Sequence, residues 1–434
     1  MVEGGGRLPS APMTSLPSAT EIVVVGAGAI GASVAYALAR DGHEVVVLDR
    51  GAIGMGASSG TACMVTASHA ERMASRAMLL EGIRFLPDPA GPFALRPTPR
   101  LVPWLARFTV ASLTGDAHGG TALLRRLAVE SVDLHRRLAD ELETGLVQAG
   151  TLNVYLSEAG LAGRAAAVAE QRAAGMRVEL LDAAEVRERQ PALLGARGAA
   201  FYPDDAHVDS LQYTQRLAAA AIGLGANVLD GVEALGVTRS AAELRIETTS
   251  GTIAAQRLVL AAGVWSPRLA HDLGVTLPLQ GAKGYHVEFE GLEGTVRQPV
   301  YLYETRVVAT PLRGRLRLAG TLELGSDPDA VGRRRVAAVV DAGVRHIEGV
   351  AGARPSHVWR GLRPMSSDGM PIIGRAPSDD RVIVATGHGV LGITLAPSTA
   401  ELVATLASGK ELEPWLAALR PGRFRRLAGF RGAS

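Results

Sequence analysis

The chain has 434 residues, enough for about three domains by length alone and for a sizeable core. With 47% hydrophobic residues, 20% charged residues and 51 glycines, it is neither a disordered chain nor a coiled coil. Its 45 basic and 43 acidic residues leave a formal charge of +2, which argues against a nucleic-acid partner.

In chain order, residues 1–20 are rich in Gly, Pro and Ser and lack the basic start and apolar core of a signal peptide, so they read as a disordered tail. Residues 21–26 form a short β-branched run expected to be a buried strand. A helix follows over 29–41, with Ile30, Val34, Ala37 and Leu38 at helical spacing and Gly42 at its end. Residues 43–49 read as a second buried strand, completing a βαβ opening.

The six prolines in 84–103 suggest a crossing between domains. Helices are expected over 100–113, 121–145, 158–174, 183–190 and 211–223, with a strand over 151–156. Strands follow at 227–237 and 258–261. An antiparallel set is expected at 285–289, 300–303, 306–310 and 316–321, then a helix over 327–344. The apolar run 382–400 reads as a buried strand, a glycine loop and the start of a helix over 393–407, not as a membrane span. The Arg-rich segment 420–431, with Phe424 and Phe430, reads as a solvated tail packed by its aromatics. Its alternative reading is peripheral contact with an anionic membrane at the inner face.

All basic residues except Lys283 and Lys410 are arginine, as a GC-rich genome would produce. The single cysteine, Cys63, excludes an internal disulfide, a thiolate metal cluster and an iron–sulfur centre. No metal is expected, and a reducing cytoplasm suits this cysteine usage.

Gly26-Ala27-Gly28-Ala29-Ile30-Gly31 is a G-x-G-x-x-G string set between a strand and a helix. Gly26 permits the tight turn, Gly28 lets the backbone approach a pyrophosphate, and Gly31 lets the helix pack on the sheet. The phosphate then faces a helix N-terminus, where N–H groups and the dipole favour an anion. Asp49 ends the second strand, where a carboxylate accepts ribose hydroxyls. This loop does not separate FAD from NAD. Two further loops do: Arg50 leads to 54–61 with Ser58, Ser59 and Thr61, and the strand through Ala261 ends at Gly263 and Trp265. A third, Gly387-His388-Gly389-Val390-Leu391-Gly392, joins a strand to a helix containing Thr394. Together with Val232, these suit a long ligand such as non-covalently bound FAD.

Four blocks then carry a family likeness: 23–50, 56–64, Lys283-Gly284-Tyr285, and 359–374 with 385–397. The chain resembles the D-amino-acid oxidase superfamily, and within it the bacterial FAD-dependent D-amino-acid dehydrogenases. Leu395-Ala396-Pro397 is similar to glycine oxidases. The resemblance implies an α/β fold in which a discontinuous Rossmann-type FAD-binding domain holds an inserted α+β substrate domain built on a mixed, antiparallel sheet. The expected partition is 21–84, 195–280 and 359–434 for the first domain, and 85–194 and 281–358 for the second.

The resemblance further implies oxidation of an amine next to a carboxylate. The α-hydrogen leaves as hydride to flavin N5, and the imine hydrolyses to a 2-oxo acid and ammonia. Electrons then pass to a quinone or another acceptor, or to oxygen in an oxidase. Arg363 matches the arginine that binds the substrate carboxylate, a role its planar fork suits. Tyr303 and Tyr285 are candidates to hydrogen-bond the carboxylate or close the pocket. Glu304 and Arg306 are expected to pair, and His388 either serves catalysis or satisfies the backbone. No residue stands out as a general base, which is consistent with hydride transfer. Thr61 and Cys63 stand where the family often has Asn and Gly. Cys63 is read as a small buried filler rather than a covalent flavin link. Two alternatives remain: an oxygen-using oxidase of glycine, sarcosine or an imino acid, and a non-catalytic FAD-binding homologue or partner subunit.

Overall fold

The structure, a computed structural model, describes residues 15–427 apart from 87, 89, 117 and 118. Two large sheets organise it. The first centres on Ala19–Val25, flanked in parallel by Val45–Asp49 and Gly251–Leu260. Asn227–Asp230 extends it past Val45–Asp49, and Asp379–Thr386 runs parallel to the end of Gly251–Leu260. The stretch 22–25 of the central strand is apolar throughout because both of its faces are buried. Ile22 and Val24 join one core, with helices Ala29–Arg40, Gly120–Leu142, Ser210–Gly223 and Gly392–Ala407. Val23 and Val25 join another, with helix Ser266–Asp272 and the ribbon Ala234–Arg239/Leu244–Thr248.

The second sheet is mixed. Its order is His357–Ser366, Leu279–Glu290, Arg315–Leu324, Val307–Leu312, Val300–Leu302, Thr151–Tyr155, Gly198–Tyr202 and Glu179–Asp182. Phe93–Leu95 pairs in parallel with Arg315–Leu324. Residues on one face, such as Val287, Leu318, Ala309 and Val300, pack under helix Arg333–His346. The register places Trp359, His286, Ala319, Val308, Tyr301 and Asn153 in one row across six strands of the opposite face.

Several expectations need correction. Gly198–Tyr202 and His357–Ser366 belong to the second sheet, although the sequence reading grouped 195–280 and 359–434 with the nucleotide domain. Helix Gly120–Leu142, grouped with the substrate domain, packs its apolar stripe into the first core. The strand expected over 227–237 is two, separated at Gly231, whose φ of +73° turns the chain. Of the tail expected over 1–20, residues 1–14 lie outside the described residues. Ser18 already accepts a bond from the Ala254 amide and Ala19 opens the first strand.

At the other end, Phe424 is buried, as expected of a segment packed by its aromatics, and Arg423 pairs with Asp368 at 2.7 Å, so this part of the segment is held on the body more firmly than a solvated tail. Phe430 and Arg431 lie outside the described residues. Among the described residues, no helix is long and apolar enough to cross a membrane.

Candidate active site

A cavity of about 1200 Å³ is bounded by the C-terminal ends of the first sheet's parallel strands and by the row-bearing face of the second sheet. At its nucleotide end, Gly26 has φ +105°, and a Cβ there would meet the Ala261 carbonyl at 2.6 Å. A Cβ on Gly31 would fall 1.7 Å from the Gly26 carbonyl oxygen, so neither position admits a side chain. The Ala29 amide donates to Ser58 Oγ at 2.8 Å, tying the second glycine loop to the helix start. Asp49 accepts from the Ala27 amide at 2.7 Å and from the Gly51 amide at 2.9 Å, which fixes its carboxylate on the cavity wall. Arg50 lies over the Trp265 ring at 3.9 Å, and the Val232 amide donates to the Asp49 carbonyl.

The loop 54–61 is clamped from the second sheet. Arg317 donates to the carbonyls of Ser59 and Thr61 and is itself held by Glu288 at 2.6 Å. Burial alone would raise the Glu288 carboxyl, but Arg317 and Arg315 hold it below its ordinary value. On the far side, His388 Nε2 meets Thr399 Oγ1 at 3.0 Å. Burial pulls its imidazole down to about 3, so the ring is neutral.

The other end of the cavity carries Arg363. Its Nη1 donates to the Thr321 carbonyl at 2.8 Å, and it makes no ion pair among the described residues. The part of the side chain that is exposed faces the cavity. Burial lowers its guanidinium to about 10, leaving it charged at neutral pH. Thr321 has φ +62°, a strained conformation for a β-branched residue. Further along the wall lie His69, Asn153, Arg164, Tyr301 and Tyr303.

The cavity therefore fits FAD. Two glycines admit no Cβ beside a helix N-terminus, a carboxylate is fixed at the end of the second strand, and a hydroxyl-bearing loop is clamped alongside. The family pattern described as "FAD dependent oxidoreductase" matches residues 21–406. The chain belongs to that family. This oxidoreductase is 31% identical over 410 residues to the D-amino acid dehydrogenase of Granulibacter bethesdensis, covering 90% of this chain and 96% of that protein. It is 30% identical over 426 residues to the D-amino-acid oxidase of Bradyrhizobium diazoefficiens, covering 94% and 100%. The crystal structure of glycine oxidase from Geobacillus kaustophilus matches with a TM-score of 0.78 at 26% identity, covering 94% of this chain and 99% of that one.

Most positions expected from the sequence line the oxidoreductase's cavity. Gly26, Gly28, Ala29, Ile30, Asp49, Arg50, Ser58, Thr61, Val232, Ala261, Gly263 and Trp265 do so. So do His388, Gly389, Val390, Leu391, Gly392 and Thr394, together with Arg363 and Tyr303. Gly31, Ser59 and Gly387 support the loops from behind. Ser59 Oγ donates to the Gly56 carbonyl, and Gly387 turns the chain at φ +77°.

Tyr285 is a correction. It is wholly buried off the cavity wall, its hydroxyl taking the Gly332 amide and facing Glu323, which Lys283 and Arg335 also contact. Glu304 and Arg306 do not pair. Glu304 accepts the amides of Leu156 and Ser157, while Arg306 binds Glu81 and the Tyr301 hydroxyl. Cys63 is buried beside Arg317 and Ser210, off the cavity wall. Sequence reasoning missed His69, Asn153, Arg164 and Tyr301. Only Tyr301 left a trace, alternating with Tyr303 along one strand.

Proposed function

We propose that this oxidoreductase deaminates D-amino acids as a dehydrogenase. Arg363 carries the reading: a charged, largely buried guanidinium faces the cavity with no carboxylate partner among the described residues. In a folded chain that is costly unless a ligand completes the pair. A substrate carboxylate laid on its planar fork is held in two places, which fixes the Cα beside it. The Thr321 carbonyl holds the guanidinium from the side, and Val308, Ala319 and Leu362 add apolar side chains to the cavity wall. Bound FAD supplies the acceptor for the α-hydrogen and its electron pair.

The amine must be neutral before that hydrogen leaves. His388 and His69 are both held neutral by burial, so neither imidazole adds a charge to the pocket. The substrate imine then takes up water, releasing ammonia and a 2-oxo acid.

The acceptor is read as a lipid-soluble quinone. Helices Arg76–Phe85 and Val102–Leu113 line the cavity and carry Leu80, Ile83, Val102, Val110 and Leu113 more than half exposed. An apolar rim of that kind suits peripheral contact with a bilayer.

The test is the flavin spectrum of the purified holoenzyme under argon. Bleaching by D-amino acids and not by L-enantiomers is the expected result. Reoxidation by a short-chain quinone, with little peroxide on admitting air, separates dehydrogenase from oxidase. A flavin band that no amino acid bleaches overturns the proposal.

A further inference from the structure

We infer that the oxidoreductase is built for substrates carrying a second anionic group, and that Arg164 binds it. This rests on the reading of Arg363 as the site of the α-carboxylate. The cavity wall beyond Tyr301 holds a group of polar atoms whose bonding is incomplete. His69 Nε2, Asn153 Oδ1 and Arg164 Nε are buried without a hydrogen-bond partner in the protein. All three residues line the same cavity. Orphaned buried polar atoms are rare. Arg164 Nε is a donor that an anion satisfies, whereas Asn153 Oδ1 is an acceptor, and so is His69 Nε2, because Nδ1 gives the ring's proton to Ser68 Oγ.

The charge at this place is positive. Arg306 lies here too, but Glu81 and the Tyr301 hydroxyl occupy it. Glu71 is bound to Arg125 at 3.3 Å, and Arg72 is spent on the carbonyls of Ala74, Ala111 and Gly115. Arg164 alone makes no ion pair among the described residues, and its guanidinium stands 5.8 Å from the Tyr303 ring centre. His69 contributes no charge of its own. Its Nδ1 meets Ser68 Oγ at 2.9 Å, and Ser68 in turn donates to buried Asp205, which fixes the ring with Nε2 at the cavity. The site therefore offers one cation without an ion pair, Arg164, with two acceptors beside it, His69 Nε2 and Asn153 Oδ1. The cation suits a carboxylate, and the two acceptors suit a donor next to it, such as a bridging water or an N–H of the same ligand.

The test compares kcat/KM for D-glutamate and D-aspartate with D-glutamine, D-asparagine and D-alanine on the holoenzyme. The wild type is expected to prefer the acids over their isosteric amides by at least ~10-fold. Arg164→Gln should lower kcat/KM for the acids by ~30- to 1,000-fold, the range for breaking a buried charged pair, and leave D-alanine within about threefold. Arg164→Lys should recover part of the loss. Equal loss on acids and D-alanine, or a wild type indifferent to side-chain charge, overturns the assignment while leaving the deamination reading intact. If no D-amino acid reduces the enzyme, the deamination reading fails first, and this assignment with it.

Discussion

Gly284 and Arg363 occupy the same space: a Cβ on Gly284 would fall 2.1 Å from Arg363 Nη1 and 2.4 Å from Cζ. The two lie on neighbouring antiparallel strands, Leu279–Glu290 and His357–Ser366. The absence of a side chain at 284 is what lets the guanidinium lie against the sheet and reach the Thr321 carbonyl. Gly284→Ala should therefore leave the fold and bound flavin intact but push the guanidinium off its seat. We expect KM for the best substrate to rise ~10-fold or more, with a smaller change in kcat. Arg363→Ala should raise KM by tens- to thousands-fold, the scale of a lost charged hydrogen bond. A Gly284→Ala enzyme with wild-type KM would show that Arg363 does not need that seat.

Asp49 gives a second prediction. Its carboxylate holds the amides of Ala27 and Gly51 at 2.7 and 2.9 Å while facing the cavity. Asp49→Ala leaves both loop amides without their partner, at ~1–3 kcal/mol for each donor left buried. FAD affinity, measured by fluorescence titration of the apoprotein, should fall at least ~10-fold. Asp49→Asn keeps an acceptor oxygen and should fall less. Equal affinity for all three proteins would remove Asp49 from the cofactor contact.

The nucleotide end was legible in the sequence because its signals are local. Gly26, Gly28 and Gly31 follow from one turn, and Asp49 from the strand that the turn's helix leads to. Arg363 was legible through the family likeness and its fit to a carboxylate. Tyr285 was misplaced for a physical reason: in a strand, successive side chains point to opposite faces, and sequence alone did not say which face was the cavity. Arg164, His69 and Asn153 come from three segments that only the tertiary fold brings together. The sheet boundaries failed likewise, since Gly198–Tyr202 is short, apolar and free of any local mark naming its sheet.

Stability should fall on mild acidification. Burial holds His69, His135 and His207 each down to about 4, and His388 to about 3. In the unfolded chain these rings titrate near 6.5. Between pH 6.5 and about 4 the unfolded state thus binds more protons than the native state, so stability is fully present above 6.5 and is lost as pH falls through that window. A two-unit depression corresponds to ~3 kcal/mol per ring. Asp205 acts in the opposite sense, because burial raises it to about 6 and the native state gains a proton there first. One carboxyl offsets only part of four imidazoles. Thermal melts of the apoprotein from pH 8 to 4.5 should show Tm falling steeply below pH 6.5. A flat profile would mean that the buried rings take up protons in the native state.

The apolar rim gives the last prediction. On Val102–Leu113 the exposed residues Val102, Ala106, Val110 and Leu113 fall on one face, and on Arg76–Phe85 Leu80 and Ile83 do the same. Leu80 is 57% and Leu113 62% exposed. Arg76, Arg84 and Arg100 stand exposed beside them, a charge pattern that suits anionic lipid headgroups. The holoenzyme should float with vesicles containing anionic phosphatidylglycerol, less so at high salt, and weakly with zwitterionic vesicles. Leu80→Ser, Val110→Ser and Leu113→Ser combined remove side chains that do not line the cavity. Each apolar side chain buried is worth ~1.5–3 kcal/mol at full burial, so losing three partly buried ones should abolish flotation. Activity with a water-soluble dye should be unchanged, while activity with a membrane-embedded quinone falls. A triple variant that floats as well as the wild type would place the membrane contact elsewhere on the molecule. A wild type that never floats, and instead elutes as a dimer that the three serines split, would assign the same face to a second copy of the chain.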